Sequence, residues 1–294
     1  MVTDHFAHCN PATGHRTAAP VVHCAPVTEI AQSLDVSGFD RVDEANSPDA
    51  FAAWMAHQRR HGPDGRIDLL ELDASSRALD LGCGTGTDLS RLVEVAAHVV
   101  GVDRSSTMLE TIRRGPSGSQ CELVNADGVD LPFRDDTFDA TWVRAVLIHT
   151  PAPEQALAEI ARVTRPGGRI VLSEPDHGSH VVACSCPEVF ERIKAHRRQR
   201  FQNPLIGRGL ADLAARAGLA VTNAWAAPIL HRSMANAFAA GGPFGVAVQA
   251  AVEDGAITED EASYYESSLA ELDARGAFFF AGLAVTISAV VPSR

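Results

Sequence analysis

The stretch LDLGCGTGTDL, residues 79–89, places three glycines within five positions directly after an alternating apolar run. A strand that ends in so bare a loop and then opens a helix aims backbone N–H groups and the positive helix end at a ligand. This confines the chain to α/β architectures whose ligands sit beyond the carboxyl ends of the strands. The spacing narrows the ligand. A dinucleotide fingerprint reads G-x-G-x-x-G, whereas Gly82, Gly84 and Gly86 read G-x-G-x-G, with Thr87 three places after Gly84. A Walker A loop fails as well, because no Gly-Lys-Ser/Thr is present and no Lys or Arg lies in the loop before Arg91. The loop predicts a ligand with an ammonium, a carboxylate and hydroxyls rather than a pyrophosphate.

Around this loop, strand and helix patterns alternate. Strands are expected at Arg77–Leu81, His98–Val102, Cys121–Asn125, Asp139–Val143 and Arg169–Ser173, and helices at Thr87–Ala97, Ser106–Arg114 and Pro153–Thr164. Alternation with two-sided apolar strands implies a doubly wound α/β fold: a mostly parallel sheet covered on both faces. Before it, Ser47–Arg60 reads as a helix with Ser47 as cap and Phe51, Trp54 and Met55 on one face. After it come helices at 187–200, 207–217, 233–252 and 258–273 and strands at 219–227 and 277–291. Asp103 follows the second strand, 21 residues after Gly82, where a carboxylate can accept from two ribose hydroxyls. By the same logic Asp127, after the third strand, can accept from an adenine amino group, and the Gly128 N–H can meet a ring nitrogen.

Composition excludes several classes. A net charge of −12 argues against nucleic acid or a membrane surface as partner. The basic stretch Arg192 to Arg200 reads as a solvated helix face. No run of 18 uncharged apolar residues occurs, and Met1 to Val27 is broken by His, Asp, Pro and Gly, so a cytoplasmic protein without a secretory leader is expected. Six cysteines in a chain of 294 residues do not make a disulfide framework. His5, His8, Cys9, His15, His23 and Cys24 match no zinc-ligand spacing, nor does Cys184-Ser-Cys186; no metal is expected, and residues 1–35 read as a flexible tail.

The segments ALDLGCGTGTDLSRL, VVGVDRSSTML and NADGVDLPFRDDTFDATWVRAVLIHTPAPEQALAEIARVTRPGGRIVLSEPD together resemble the class I S-adenosylmethionine-dependent methyltransferases. The closest group is that of small-molecule enzymes similar to the ubiquinone/menaquinone C-methyltransferases. The likeness is dense over 75–176 and weaker beyond, where AFFFAGLAVTISAVV resembles the family's final antiparallel strand. It implies a seven-stranded sheet of order 3-2-1-4-5-7-6 with strand 7 antiparallel, and S-adenosyl-L-methionine as cofactor. It further implies one domain over 36–294, made of lid helices (36–74), a cofactor-binding core (75–180) and a substrate cap with the last strands (181–294). By position, Asp80, Gly82, Gly84 and Gly86 would surround the methionine part of the cofactor. Asp103 would bind the ribose, Arg104 and Met108 would flank the adenine, and Asp127 and Gly128 would read its edge. Arg144 would lie under the methionine end through its carbonyl, its cationic side chain being a departure that can instead bind substrate.

Methyl transfer from a sulfonium needs alignment and exclusion of water more than chemistry, and a base only where the nucleophile must lose a proton. His149, after the fourth strand, is the candidate base; packing at a helix start is the alternative. Glu174 and Asp176, after the fifth strand, either orient substrate or cap the loop, with His177 and His180 as weaker candidates beside them. Trp54 and Arg208 are further candidates for the substrate wall. The acceptor is expected to be a small molecule, in keeping with specialised metabolism. A cyclase or lyase that retains the methyl group is the alternative, separated by product mass.

Overall fold

The computed structural model describes residues 66–115, 118, 120–239 and 242–293. The expected tail, the helix at Ser47–Arg60 with Trp54, and most of the lid region lie outside the described residues. Seven strands form one sheet: β1 (Arg77–Leu81), β2 (His98–Asp103), β3 (Glu122–Asn125), β4 (Phe138–Arg144), β5 (Thr164–Val182), β6 (Ala220–His231) and β7 (Phe280–Val290). Their order is 3-2-1-4-5-7-6. β1 to β5 pair in parallel, and β7 runs antiparallel to both β5 and β6. The expected fold class and strand order are those observed.

The parallel strands are apolar on both faces, and two clusters bury them. On one face, Leu79, Leu81, Val102 and Val143 pack with Leu157 and Ile160 of α3 (Pro153–Val163) and Leu210 and Leu213 of α5 (Ile206–Arg216). On the other, Val99, Ala140, Trp142 and Val171 meet Leu89 and Leu92 of α1 (Leu89–Leu92) and Leu109 and Ile112 of α2 (Ser106–Arg114). A third cluster lies beyond the sheet's carboxyl edge. It joins α4 (Pro187–Arg198), α7 (Val246–Glu253) and α8 (Glu259–Ala274) through Phe190, Ile193, Val248, Tyr265 and Leu269 to Phe280 of β7.

Three elements depart most from the sequence expectation. The helix expected over Thr87–Ala97 is helical only at Leu89–Leu92, since Ala97 and His98 turn to donate to the Ser76 carbonyl as β2 begins. The helix expected over 233–252 is two pieces, α6 (Met234–Ala239) and α7, parted at Gly242-Pro243, where proline supplies no donor. The fifth strand extends well past Ser173. It follows β7 as far as Val182, with a register shift between Asp176 and Val181. That irregularity places residues 177–180 at the mouth of the sheet.

The glycine loop depends on close approach. Gly82 has φ +73°, and a Cβ there would stand 2.2 Å from Cγ2 of Val146, in the turn after β4. We expect Gly82→Ala to destabilise the fold by about 2–4 kcal/mol through backbone strain and overpacking. In a double-mutant cycle, Val146→Ala should restore the overpacking part, a coupling of about 1–3 kcal/mol. Denaturant unfolding of the four proteins measures it; zero coupling would refute the contact.

Candidate active site

At the carboxyl edge of β1, Gly82 and Cys83 donate to the Val102 carbonyl at 2.7 and 3.0 Å, which turns the loop toward β2. Asp103, the last residue of β2, holds it there: its carboxylate accepts from the Gly84 N–H at 2.8 Å and the Ser105 N–H at 2.9 Å. Asn125 at the end of β3 donates to the carbonyls of Asp103 and Arg104. Each strand end thus fixes the turn of its neighbour.

Beneath the loop lies a group of acids. Asp80 is buried, and its Oδ2 has no hydrogen-bond partner among the described residues. Burial, with the neighbouring Asp88 and Asp103 charges, raises its carboxyl well above the usual range, and Arg144 opposes the shift. Asp88 is also buried; it accepts from the Trp142 indole at 3.0 Å and from Arg144 at 2.8 Å. The Arg144 side chain thus pairs with this acidic group.

The turn after β4 is held from two directions. Ala145 has φ +55°, and the N–H groups of Val146, Leu147 and Ile148 all donate to the Glu174 carboxylate, at 3.0, 2.8 and 3.2 Å. From the other side Asn203 donates to the carbonyls of Leu147 and Thr150, at 2.9 and 2.7 Å. The 3₁₀ turn Leu147–His149 is fixed by this clamp, and the His149 ring sits 5.6 Å from that of Phe201. Of the two roles expected for Glu174, the structure selects the cap. Asp176 is likewise turned away: its carboxylate takes a two-point ion pair from Arg208, at 2.6 and 2.8 Å, and also accepts the Gly178 N–H. Neither Asp176 nor Arg208 lines the cavity described next, so their expected contact with substrate is not supported.

One cavity of about 330 Å³ joins these parts. Its first half is lined by Asp80, Gly82, Gly84, Asp103, Arg104, Met108, Asp127, Gly128 and Arg144. Gly86 is absent from the lining; it is buried against Ile112, so its expected place around the ligand is corrected to one of packing. The second half runs past His149 and Glu174 to His177, His180, Arg197, Phe201 and Phe280. Among the described residues, no group of three or more His, Cys, Asp or Glu is placed to hold a metal ion, and no helix is long and apolar enough to cross a membrane.

Comparison with known proteins bears on the whole arrangement. Residues 79–172 match the family model described as a methyltransferase domain. Over this stretch the chain is similar to methyltransferase domains. Over 102 residues it is 47% identical to a demethylmenaquinone methyltransferase of Clavibacter sepedonicus, an alignment covering 34% of this chain and 42% of that one. Over 160 residues it is 41% identical to an uncharacterized 37.1 kDa protein in a transposon of Streptomyces fradiae, covering 53% and 46%. The chain thus spans less than half the length of either relative. The solved YcgJ protein of Bacillus subtilis shares the fold with a TM-score of 0.55 at 21% identity, over 78% of this chain and 97% of that one.

On α4, the reading of Arg192–Arg200 as a solvated face needs correction. Lys194 is 8% exposed and Arg197 6%. The signal was present in the spacing, since Phe190, Ile193, Arg197 and Phe201 recur at intervals of three and four on one helical face. What the spacing lacked was a reason to bury a cation there. That reason is His177, whose Nδ1 lies 2.6 Å from Arg197 Nη1.

The clamp on the His149 turn has a measurable signature. Burial pushes the Glu174 carboxyl from 4.5 up to about 7, against three N–H groups that favour the anion. An acid raised on folding stabilises the fold below its unfolded value, and that contribution is lost as pH rises through the folded one. We expect the stability of the wild type relative to Glu174→Gln to fall between pH 4.5 and about 7. At every pH the amide should leave backbone donors facing an NH₂ group, costing about 1–3 kcal/mol. Thermal unfolding across this range checks both; a pH-independent difference would remove the titration of Glu174.

Proposed function

We propose that the protein transfers a methyl group from S-adenosyl-L-methionine to a small-molecule acceptor, of the kind made in specialised metabolism. The observation that carries this reading is one continuous cavity, lined by the glycine loop and the strand-end acids and also by histidine and phenylalanine side chains. A demethylmenaquinone methyltransferase among the relatives supports a small acceptor with a conjugated ring.

The residues present fit the cofactor. An unpartnered oxygen on the buried Asp80 calls for a cationic group, and the cofactor carries an ammonium. Asp103 would accept from the ribose hydroxyls while retaining its two backbone donors, and Asp127 with the Gly128 N–H would meet the adenine edge. Arg104 and Met108 would flank the ring, and Gly82 and Gly84 would allow the methionine part to approach the backbone. When bound, the cofactor supplies an electrophilic methyl group on a positively charged sulfur.

The rest falls to this chain's own side chains. The cap cluster around Phe280 would exclude water from the chamber, and the wall at Phe201 would hold the acceptor's flat face. His149, fixed on its clamped turn where the two halves of the cavity meet, would take the proton from an acceptor hydroxyl. Glu174 and Asn203 would act through it as positioning residues.

Asp103→Ala should weaken cofactor binding by about 1.5–3 kcal/mol, the worth of hydrogen bonds to a charged acceptor. Calorimetric titration with S-adenosylhomocysteine measures this, and an unchanged Kd in a folded variant would refute the ribose assignment. Turnover is tested by mass spectrometry with S-adenosylmethionine and demethylated quinols as first acceptors; a product heavier by one methyl group supports transfer, and an isomerised product of unchanged mass supports a cyclase. With an acceptor in hand, His149→Ala should lower kcat by about 10²–10⁴-fold with cofactor affinity retained. Wild-type turnover and pH profile in that variant would leave alignment alone as the mechanism.

A further inference from the structure

The irregular segment of β5 brings His177 and His180 to the end of the cavity farthest from the glycine loop, with ring centroids 5.1 Å apart. It is built to hold them there. The His177 N–H donates to the Pro204 carbonyl at 2.9 Å, and the Ser179 hydroxyl accepts from the Leu283 N–H while donating to the Asp176 carbonyl. Gly282 on β7 makes room, since a Cβ there would stand 2.6 Å from Cδ2 of His180. None of this is needed to pair β5 with β7, which resumes at Val181.

The contact between Arg197 Nη1 and His177 Nδ1 decides what His177 can do. A guanidinium only donates, so Nδ1 is the acceptor and the proton of the neutral ring sits on Nε2. Burial and the Arg197 charge hold His177 well below the usual imidazole range, so the ring stays neutral. Its Nε2–H has no hydrogen-bond partner among the described residues, and the ring lines the cavity edge-on to Phe201 at 4.2 Å. His177 is therefore a donor and cannot serve as a base.

The surroundings favour one kind of guest. His149, His180 and Arg197 stand around His177; burial, then Arg197 and Lys194, lowers His180 to about 3, so it too is neutral. Among the described residues, the one carboxyl lining this end is Glu174, already engaged by three backbone donors, and Asp176 is turned to Arg208. The walls are the flat faces and edges of Phe201 and Phe280.

Resting on the methyltransferase reading, we propose that the acceptor presents an acidic oxygen on a planar conjugated frame, a phenol or enol. His177 Nε2–H grips that oxygen as its conjugate base and so determines specificity. Arg197 is the positioning residue that keeps the proton on Nε2. An ammonium-bearing acceptor would meet a hydrogen-bond donor and is selected against.

The test compares 4-nitrophenolate, at a pH where it is ionised, with its neutral isostere 4-nitrotoluene. Calorimetry is performed on the full chain saturated with S-adenosylhomocysteine. The phenolate should bind about tenfold or more tighter, the scale of a charge-assisted hydrogen bond. His177→Phe should erase the preference. His177→Gln, whose amide nitrogen replaces Nε2, should keep most of it, and Arg197→Met should reduce it by releasing the tautomer. Retained S-adenosylhomocysteine affinity certifies the fold of each variant. Equal affinities, no binding of either probe, or a preference that survives His177→Phe would overturn the assignment. Failure of the wild type to bind S-adenosylhomocysteine would instead strike the methyltransferase reading itself.

Discussion

Irregular backbone that lines a cavity must find acceptors for its N–H groups without help from regular pairing, and at this sheet edge carboxylates supply them. Asp103 accepts from Gly84 and Ser105, Glu174 from Val146, Leu147 and Ile148, and Asp176 from Gly178. Asp103 ends β2, Glu174 and Asp176 follow the last residue of β5 that pairs with β4, and each acid secures a turn. For Asp103 and Glu174 that turn follows a different strand, so the loops are tied to one another as well as to the sheet. The glycine loop can stay bare, and the His149 turn can tolerate a left-handed Ala145, because these acids hold them.

The same requirement sorts charge along the cavity. Among the described residues, the lining toward β1 and β2 carries Asp80, Asp88, Asp103 and Asp127 with Arg104 and Arg144. Toward β5 and α4 it carries Arg197 and three histidines among aromatic rings. A cationic cofactor and an oxygen-acid acceptor would each meet the end whose polarity suits it. Low dielectric in a buried chamber strengthens that discrimination. Histidines kept neutral by burial add donors and acceptors there without adding charge.

The cap completes the enclosure by a different physics. Phe190, Ile193, Val248, Tyr265 and Leu269 form a core of their own, joined to the sheet through Phe278 and Phe280. A cluster that shares no residue with the two that bury the parallel strands can vary its helices without disturbing them. Such a layer suits the recognition of different acceptors on one scaffold.

Much of this was legible in the chain itself. Local patterns depend on neighbouring residues, so β1, β2, β4 and α2 fell close to their expected bounds. The G-x-G-x-G spacing and Asp103 likewise placed the first half of the cavity without a structure. What sequence could not settle were partners far apart in the chain. Glu174 and Asp176 read equally well as ligands or caps until Val146–Ile148 and Arg208 came within bonding distance. Arg144 became a counter-charge only once Asp88 lay beside it. Arg197 looked solvated because nothing local to α4 announces His177, which lies in an irregular stretch of β5 that pairing with β7 creates. Periodicity reports which face a residue occupies, and the sequence alone therefore determined the scaffold and its glycine loop. Which polar groups meet across that face depends on long-range register and strand crossing, and only the tertiary structure decided it.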